Sequence, residues 1–139
     1  MFNLKNNDLE KMKKNEKIEG FKYPELFLYI NSLNLVNFEI WYILNYDRAV
    51  NYMDGLNERY PEKRLIPFAK RDDNDDVACF DGDGTGEVYI IHDFSTWGYK
   101  NRRVFKDFEE WFKQCVCDMF EYVKEEIEYY NSEGYSDDR

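Results

Sequence analysis

The sequence predicts an α+β domain in which a central, mostly antiparallel sheet is flanked by N-terminal helices and a long C-terminal helix. Two observations lead to this prediction. Several short β-like runs follow one another between residues 65 and 105, separated by turn residues, and helical apolar spacing stands before and after them. Consecutive strands joined by short turns pair antiparallel, and helices at both ends of the series are typical of an α+β domain.

The 139 residues correspond to one domain. Residues 1–20 are rich in Asn and Lys and hold few apolar positions, so we interpret them as an N-terminal arm or a loosely docked helix. We expect a single domain over residues 21–131, followed by an acidic polar tail over residues 132–139.

The first elements are a helix, a strand and a second helix. Pro24 opens a helix over residues 25–33, because the missing amide proton of a proline costs nothing in the first helical turn. Residues 38–44 are aromatic and β-branched with partial alternation, which predicts a strand. Asp47 is the expected cap of the next helix, which ends before Pro61. One face of that helix holds Val50, Met53, Leu56 and Tyr60.

Short β-like runs come next. Residues 65–69 form the first, although Pro67 indicates an edge strand or an irregular one, because proline cannot donate to a strand ladder. Residues 77–80 and 88–92 form the second and third, and an extended piece runs through residues 103–105.

The last helix has the clearest pattern. Asp107 and Glu110 have the spacing of a capping box. The residues that follow form one apolar stripe along the helix, and most of the remaining positions are charged. This pattern predicts an amphipathic helix packed on a core. That stripe consists of Phe108, Phe112, Cys115, Met119, Val123, Ile127 and Tyr130.

Charge restricts the class of partner. The chain has 29 acidic and 19 basic residues, a net charge of −10. Such a surface repels nucleic acid and anionic membranes and attracts basic proteins. We therefore expect a protein partner and neither nucleic acid nor a membrane. The charge would equally serve solubility, and both interpretations stay open.

The N-terminus lacks the apolar stretch of a signal peptide, and no segment approaches the ~20 apolar residues of a membrane span. The three cysteines are an odd number and indicate no disulfide framework. These features predict a cytoplasmic protein. Its oligomeric state, monomer or homodimer, is left open.

The candidate chemical motifs do not indicate a catalytic or metal site. Residues 81–86 resemble the start of an EF-hand loop, but its twelfth position is His92 rather than the bidentate Glu that calcium requires. A glycine-rich hairpin is the better interpretation, and His92 is expected to be structural or exposed. Cys115 and Cys117 lie about 200° apart around a helix, which prevents joint ligation or a disulfide. We predict no catalytic residue and no cofactor.

Four motifs stand in a characteristic order. Residues 64–69 read Arg-Leu-Ile-Pro-Phe-Ala, and after an acidic loop residues 77–81 read Val-Ala-Cys-Phe-Asp. Residues 87–93 read Glu-Val-Tyr-Ile-Ile-His-Asp, and residues 105–112 begin the last helix with Phe-Lys-Asp-Phe-Glu-Glu-Trp-Phe. Over about residues 22–130 this order resembles the SUKH superfamily, the Smi/Knr-type domain.

The resemblance implies an α+β fold without catalysis. Bacterial members are widely immunity proteins that bind polymorphic toxins, many of them nucleases with basic clefts, so it implies a basic toxin domain as partner. A regulatory adaptor for an endogenous protein is the alternative, and an enzyme built on the carboxylates is a third hypothesis. The expected contact surface comprises the acidic residues Asp72, Asp73, Asp75, Asp76, Asp81 and Asp83, with Trp97 and Tyr99 as aromatic anchors. The alternative that Trp97 caps the sheet stays open.

Overall fold

The computed structural model describes residues 4–93 and 101–133. In chain order, the described elements are α1 (Leu4–Lys14), α2 (Glu25–Ser32), β1 (Asn37–Phe38), β2 (Trp41–Ile43), α3 (Tyr46–Arg59), β3 (Leu65–Arg71), β4 (Asp76–Asp81), β5 (Val88–His92), β6 (Asn101–Phe105) and α4 (Phe108–Ser132).

The six described strands form one sheet in the order β1-β2-β3-β4-β5-β6, and every neighbouring pair is antiparallel. With helices before the strand series and the long α4 after it, the predicted α+β class is confirmed. β4 is buried along its whole length, since it lies in the middle of the sheet with both faces covered. This explains its unbroken apolar run, which is typical of a strand covered on two sides.

β3 is an interior strand although it contains Pro67. Its register with β4 shifts between Pro67 and Ala69, so the proline sits at a bulge. A bulge leaves one residue outside the ladder, and the missing amide proton of proline is tolerated there. The irregular strand was therefore the correct expectation, and the edge strand was wrong.

The single strand predicted over residues 38–44 is wrong: the segment folds as the β1–β2 hairpin. Glu39 takes a left-handed backbone conformation with φ 72° between the two strands. The side-chain oxygen of Asn37 accepts a hydrogen bond from the Glu39 amide at 2.9 Å and stabilises the turn. An Asx-type turn of this kind carries little sequence signal outside the asparagine itself.

The two faces of the sheet carry separate apolar clusters, because successive strand residues point to opposite sides. One face packs against α2 and α4, with Phe27, Phe108 and Trp111 covering Ile66, Phe68, Ala78, Phe80, Val88 and Ile90. The other face packs against α3, with Leu56 and Tyr60 covering Leu65, Val77, Cys79, Tyr89 and Ile91. The domain therefore has helices on both sides of one sheet.

α1 packs against the ends of α2 and α3. Met12 and Ile18 are 2% and 1% exposed and belong to the larger apolar cluster. The Asp8 carboxylate accepts a hydrogen bond from the Tyr46 amide at 2.8 Å, and the Tyr46 hydroxyl donates to Asn15 at 2.9 Å. These contacts connect residues 8–18 to the start of α3.

The cap of α3 is Asn45 rather than Asp47. Asn45 has extended backbone, and its side-chain oxygen accepts from the Arg48 amide at 2.9 Å. Asp47 lies in the first helical turn, where its carboxylate pairs with Lys11 at 2.8 Å. Both residue types cap helices well, so their order in the sequence alone did not decide between them.

α4 begins as predicted, with the Asp107 carboxylate accepting from the Glu110 amide at 2.9 Å. A 25-residue helix is about 37 Å long, and its buried residues end at Cys115. The expectation that the stripe stays packed is wrong beyond Met119, since Ile127 and Tyr130 are 55% and 43% exposed. No helix in the described parts of the chain combines the length and hydropathy needed to span a membrane.

Candidate protein-binding surface

The β3–β4 loop carries the predicted acidic cluster. Asp72, Asp73 and Asp75 are all exposed there. The Asp72 amide donates to the Ile40 carbonyl at 2.8 Å, which fixes the loop beside the β1–β2 turn. Arg71 donates to both oxygens of Asp73 at 2.8 and 2.9 Å. This hydrogen bonding holds the pKa of Asp73 below its ordinary value, so the loop is anionic at neutral pH.

Two of the predicted contact residues have carboxylates directed into the protein. Asp76 is 6% exposed in β4, and its carboxylate lies 3.0 Å from Nδ1 of His92. Asp81 is 2% exposed and accepts from the Thr85 hydroxyl at 2.6 Å and the Asp83 amide at 3.1 Å. Both carboxylates are therefore occupied by contacts within the fold: Asp76 contacts His92 in β5, and Asp81 contacts the turn that follows β4.

The pKa of Asp81 is held below its ordinary value. Burial acts to raise it, but the hydrogen bonds from Thr85 and the Asp83 amide, together with the charge of Lys63, outweigh that effect. The residues that resemble an EF-hand start thus form a turn organised by its own first carboxylate. Gly84 and Gly86 take φ 85° and 89° in this turn, which a residue without a Cβ adopts readily.

The two acidic loops lie at opposite ends of β4. Asp76 begins the strand and Asp81 ends it, and five residue steps correspond to about 17 Å at ~3.3 Å per residue. Asp83 therefore stands apart from Asp72, Asp73 and Asp75. The structure therefore places four of the six predicted acids, Asp72, Asp73, Asp75 and Asp76, at one end of β4 and the other two, Asp81 and Asp83, at its opposite end.

A second source of negative charge joins the β3–β4 loop from α4. The charge of Glu126 raises the pKa of the Tyr122 hydroxyl above its ordinary value, partial burial adds to this, and Glu39, Asp72 and Asp73 contribute further. These four carboxylates, which come from the β1–β2 turn, the β3–β4 loop and α4, thus lie within electrostatic range of Tyr122. We call them the acidic rim: Glu39, Asp72, Asp73 and Glu126.

Arg71 connects the acidic rim to α4. It lies 3.7 Å from the Asp118 carboxylate as well as bonding Asp73, and its guanidinium stacks over the Trp41 ring at 5.6 Å. The Trp41 indole donates to Asp118 at 3.1 Å, and Gln114 donates to the same carboxylate at 2.9 Å. This network ties α4 to β2 and β3, so the rim is built on fixed elements.

Three of the four rim carboxylates are not neutralised. Arg71 pairs with Asp73 and Asp118. Within residues 8–93 and 103–133, Glu39, Asp72 and Glu126 form no ion pair with another side chain. Unpaired exposed carboxylates in one area create a negative potential that attracts cations from a distance.

Asp93, the residue after β5, is bonded to the same loop. The Asp93 amide donates to the Asp75 carbonyl at 3.2 Å. The Asp93 side chain is 1% exposed and accepts from Arg59 at 2.9 and 2.6 Å. The Tyr52 hydroxyl donates to it as well, and burial, followed by this hydrogen bond and the charge of Asp93, raises the pKa of that hydroxyl. Trp97 and Tyr99 lie outside the described residues.

Possible metal ligands and buried thiols are the remaining chemical groups of the described residues. Within residues 8–93 and 103–133, no group of three or more His, Cys, Asp or Glu side chains is arranged to hold a metal ion. Burial raises the pKa of the Cys115 thiol to about 12 and that of Cys79 well above its ordinary value, so both stay protonated. Neutral buried thiols are poor nucleophiles.

A protein-family model matches residues 6–114, and its description is the SMI1 / KNR4 family (SUKH-1). The match covers well over half of the chain. The chain belongs to the SMI1 / KNR4 family. This family is known for immunity-protein-like domains and is generally non-catalytic. No curated protein and no solved structure matched the sequence.

On this SUKH-1 domain, the match begins within α1 and ends at Gln114 in α4. It includes the β1–β2 turn and the β3–β4 loop but not Tyr122 or Glu126. Sequence analysis missed these two residues and Glu39 as part of the surface, because each is isolated from the acidic cluster along the chain. The repeated Glu of residues 121–128 was the one available signal.

Proposed function

We propose that this SUKH-1 domain is a non-catalytic immunity protein that neutralises a cognate toxin by binding it through the acidic rim. One observation carries the proposal: the β3–β4 loop is bonded beside the β1–β2 turn, carboxylates of both and of α4 act electrostatically on Tyr122, and three of these carboxylates form no ion pair with a described side chain. A solubility surface requires dispersed charge and no such grouping.

Charge complementarity supports a basic partner. A nuclease toxin has a cationic cleft, because it must hold the phosphates of its substrate. An anionic surface that covers this cleft accelerates association and competes with nucleic acid. The net charge of −10 adds long-range attraction to the same partner.

The absence of a catalytic role is part of the proposal. Asp76 and Asp81 are engaged in hydrogen bonds within the fold, and the carboxylates of the acidic rim lie on the β1–β2 turn, the β3–β4 loop and α4. Acid–base catalysis needs titratable groups that converge on one reacting atom. Neutralisation by binding requires only a complementary surface.

The test is co-expression with the toxin domain encoded beside this chain. The rim variant reverses three unpaired charges, Glu39→Lys, Asp72→Lys and Glu126→Lys. Its matched control reverses three exposed acids in and after α3 and moves the net charge equally, from −10 to −4. The control substitutions are Asp54→Lys, Glu58→Lys and Glu62→Lys.

We expect wild type and control to restore growth and to co-purify with the toxin domain, and the rim variant to lose both. Equal rescue by all three proteins would contradict the assignment of the rim. If wild type gives neither rescue nor a complex with an active toxin, the immunity function is wrong. The regulatory adaptor, which would bind an endogenous protein, then replaces it.

A further inference from the structure

β6 is the outermost strand at one side of the described sheet and pairs there with β5 alone. Along an antiparallel pair, every second residue directs its amide and carbonyl groups away from the neighbouring strand. In the described parts of the chain, Arg103, Val104 and Phe105 make no backbone hydrogen bond outside the ladder with β5. We call the outward backbone groups of Asn101–Phe105 the β6 edge.

The two outer strands of the sheet differ in length. β1 at the opposite side is two residues long, whereas β6 has five residues. Ile90 pairs with Arg103 and Ile91 with Asn101, so Arg102 is the extra residue of a bulge. The regular part of the β6 edge is therefore Arg103–Phe105. A row of backbone donors and acceptors at strand spacing is complementary to another extended backbone.

The side chains of the β6 edge alternate between the two faces of the sheet. Arg103 lies opposite Ile90 on the α4 side, and its guanidinium stacks over the Phe105 ring at 4.6 Å. Val104 lies opposite Tyr89 on the α3 side and is 46% exposed. An added strand would thus meet a cation on one face and a β-branched apolar side chain on the other.

The strand is cationic although the protein is acidic. Residues 101–106 contain Arg102, Arg103 and Lys106 and no acid. Arg103 forms no ion pair with a side chain of the described residues. Its guanidinium is exposed and stays available to a carboxylate on a strand that pairs with β6.

The acids around β6 are engaged within the fold. Glu110 accepts from the Lys106 amide at 3.1 Å, and Glu87 accepts from the Tyr89 hydroxyl at 2.8 Å. Asp76 and Asp118 line one cleft with Arg103 between the sheet and α4. Asp76 contacts His92, and Asp118 accepts from Trp41 and Gln114.

These charges decide between two occupants of the β6 edge. A second copy of the chain would place the cations of one β6 against those of the other, and like charges opposite each other destabilise strand pairing. Cationic side chains and a bulge are also the means by which proteins keep like edges apart. An acidic strand meets no such repulsion, because its carboxylates lie opposite Arg103.

We propose that the β6 edge binds an extended acidic segment of a partner protein, which adds a seventh strand to the sheet. A carboxylate of that segment pairs with Arg103, and a β-branched side chain packs against Val104. The site is separate from the acidic rim: β1 and β6 are five strand intervals apart, about 24 Å at ~4.8 Å per interval. The proposal therefore does not depend on the proposed function.

The test uses the full-length chain and a short capped peptide of alternating Glu and Val, labelled for fluorescence anisotropy. The comparison peptide carries N-methyl groups on two adjacent central amides. This removes one donor from each edge of the peptide and leaves its charge unchanged. The ionic strength is about 0.15 M, where repulsion beyond ~8 Å is largely screened.

The edge variant is Arg103→Glu with Lys106→Glu, two exposed positions. Its matched control is Lys13→Glu with Lys14→Glu, which are exposed on α1. Both variants move the net charge equally, from −10 to −14. Any difference between them is therefore a property of the position and not of the total charge.

We expect wild type and control to bind the unmethylated peptide at least tenfold more tightly than the methylated one. The edge variant should lose that preference while its urea midpoint stays near that of the control. Equal binding of the two peptides to wild type would overturn the proposal, because charge alone would then explain the binding. Equal preference in the edge variant and the control would overturn the role of Arg103.

Hydrogen exchange read by NMR locates the bound peptide. The amides of β6 that exchange fast in the free protein should become protected. Protection at another element, with β6 unchanged, would overturn the assignment of the edge.

Sedimentation velocity tests the other occupant. Wild type without peptide should sediment as a monomer. A dimer in which the same β6 amides are protected would overturn the proposal in favour of a second copy. Failure of wild type to neutralise a toxin would remove the proposed function alone, since the peptide measurements involve no toxin.

Discussion

Removal of the Asp93 carboxylate should destabilise the domain strongly. Asp93 is 1% exposed and receives two hydrogen bonds from Arg59 and one from Tyr52. Asp93→Ala leaves the Arg59 guanidinium and the Tyr52 hydroxyl without this acceptor. Asp93 also directly follows β5, and its backbone amide donates a hydrogen bond to the Asp75 carbonyl in the β3–β4 loop.

The expected loss of unfolding free energy depends on how deeply each member of the Asp93–Arg59 ion pair is buried. Breaking a buried ion pair by removing one partner costs about 3–5 kcal/mol. The Arg59 side chain, however, is 32% exposed and can recover water, which places the loss near the lower end, about 3 kcal/mol. With a urea m-value of about 2 kcal/mol/M, the unfolding midpoint should fall by roughly 1.5 M.

The assay is urea unfolding at pH 7, followed by tryptophan fluorescence. Asp54→Ala is the matched control, because Asp54 is exposed on the same helix as Arg59. Its free energy of unfolding should change by no more than about 0.5 kcal/mol. A loss for Asp93→Ala as small as the control's would refute the role of this ion pair.

Three further outcomes are expected. Asp81→Asn should destabilise the domain at pH 7 by about 1–3 kcal/mol, and urea midpoints should converge with wild type below pH 4, because stability from a carboxyl with a lowered pKa is lost as pH falls through that pKa. Phe68→Ala should cost about 3–5 kcal/mol in urea unfolding, because Phe68 is 1% exposed within the larger apolar cluster. A thiol reagent should modify exposed Cys117 rapidly in the native protein but Cys79 and Cys115 only after unfolding.

Each of these expectations has a contradicting result. A constant gap between Asp81→Asn and wild type from pH 7 to pH 3 would show that ionisation of Asp81 does not matter. A change below about 1 kcal/mol for Phe68→Ala would mean that the site collapses around the missing ring. Native modification of two or three thiols would place a buried cysteine at the surface.

Short unbroken apolar runs made most of the sheet predictable. In β4 and β5 every residue between Val77 and Phe80 and between Val88 and Ile91 is buried, and such short apolar runs between turn residues predict interior strands. The Asp107–Glu110 spacing located the start of α4 within one residue. These features depend on local chemistry, which a sequence displays directly.

Features that depend on left-handed backbone or on distant packing were not predictable. The turn of the β1–β2 hairpin contains Glu39 at φ 72°, a conformation that glutamate seldom adopts. The acidic rim joins Glu39, Asp72 and Glu126, which are far apart in the sequence. Only the position of α4 against the sheet brings them near Tyr122.

The apolar pattern of α4 shows a third limit. Periodicity predicts that a helix face is apolar, but it does not state what covers that face. Cys115 is the last buried residue of α4, and Met119 and Tyr122 beyond it are only partly buried, while the helix and its apolar spacing continue to Tyr130. Sequence analysis therefore treated the packed apolar residues of α4 and the exposed Ile127 and Tyr130 as one feature.

The measurement that tests the central claim most directly is the rate of association with the toxin domain by stopped-flow fluorescence at several salt concentrations. For wild type and for the α3 control, we predict fast association that slows steeply as salt rises. The rim variant, Glu39→Lys with Asp72→Lys and Glu126→Lys, should associate at least tenfold more slowly at low salt and depend less on salt. An association rate for the rim variant equal to that of the control, which has the same net charge, would contradict the claim that the acidic rim meets the partner.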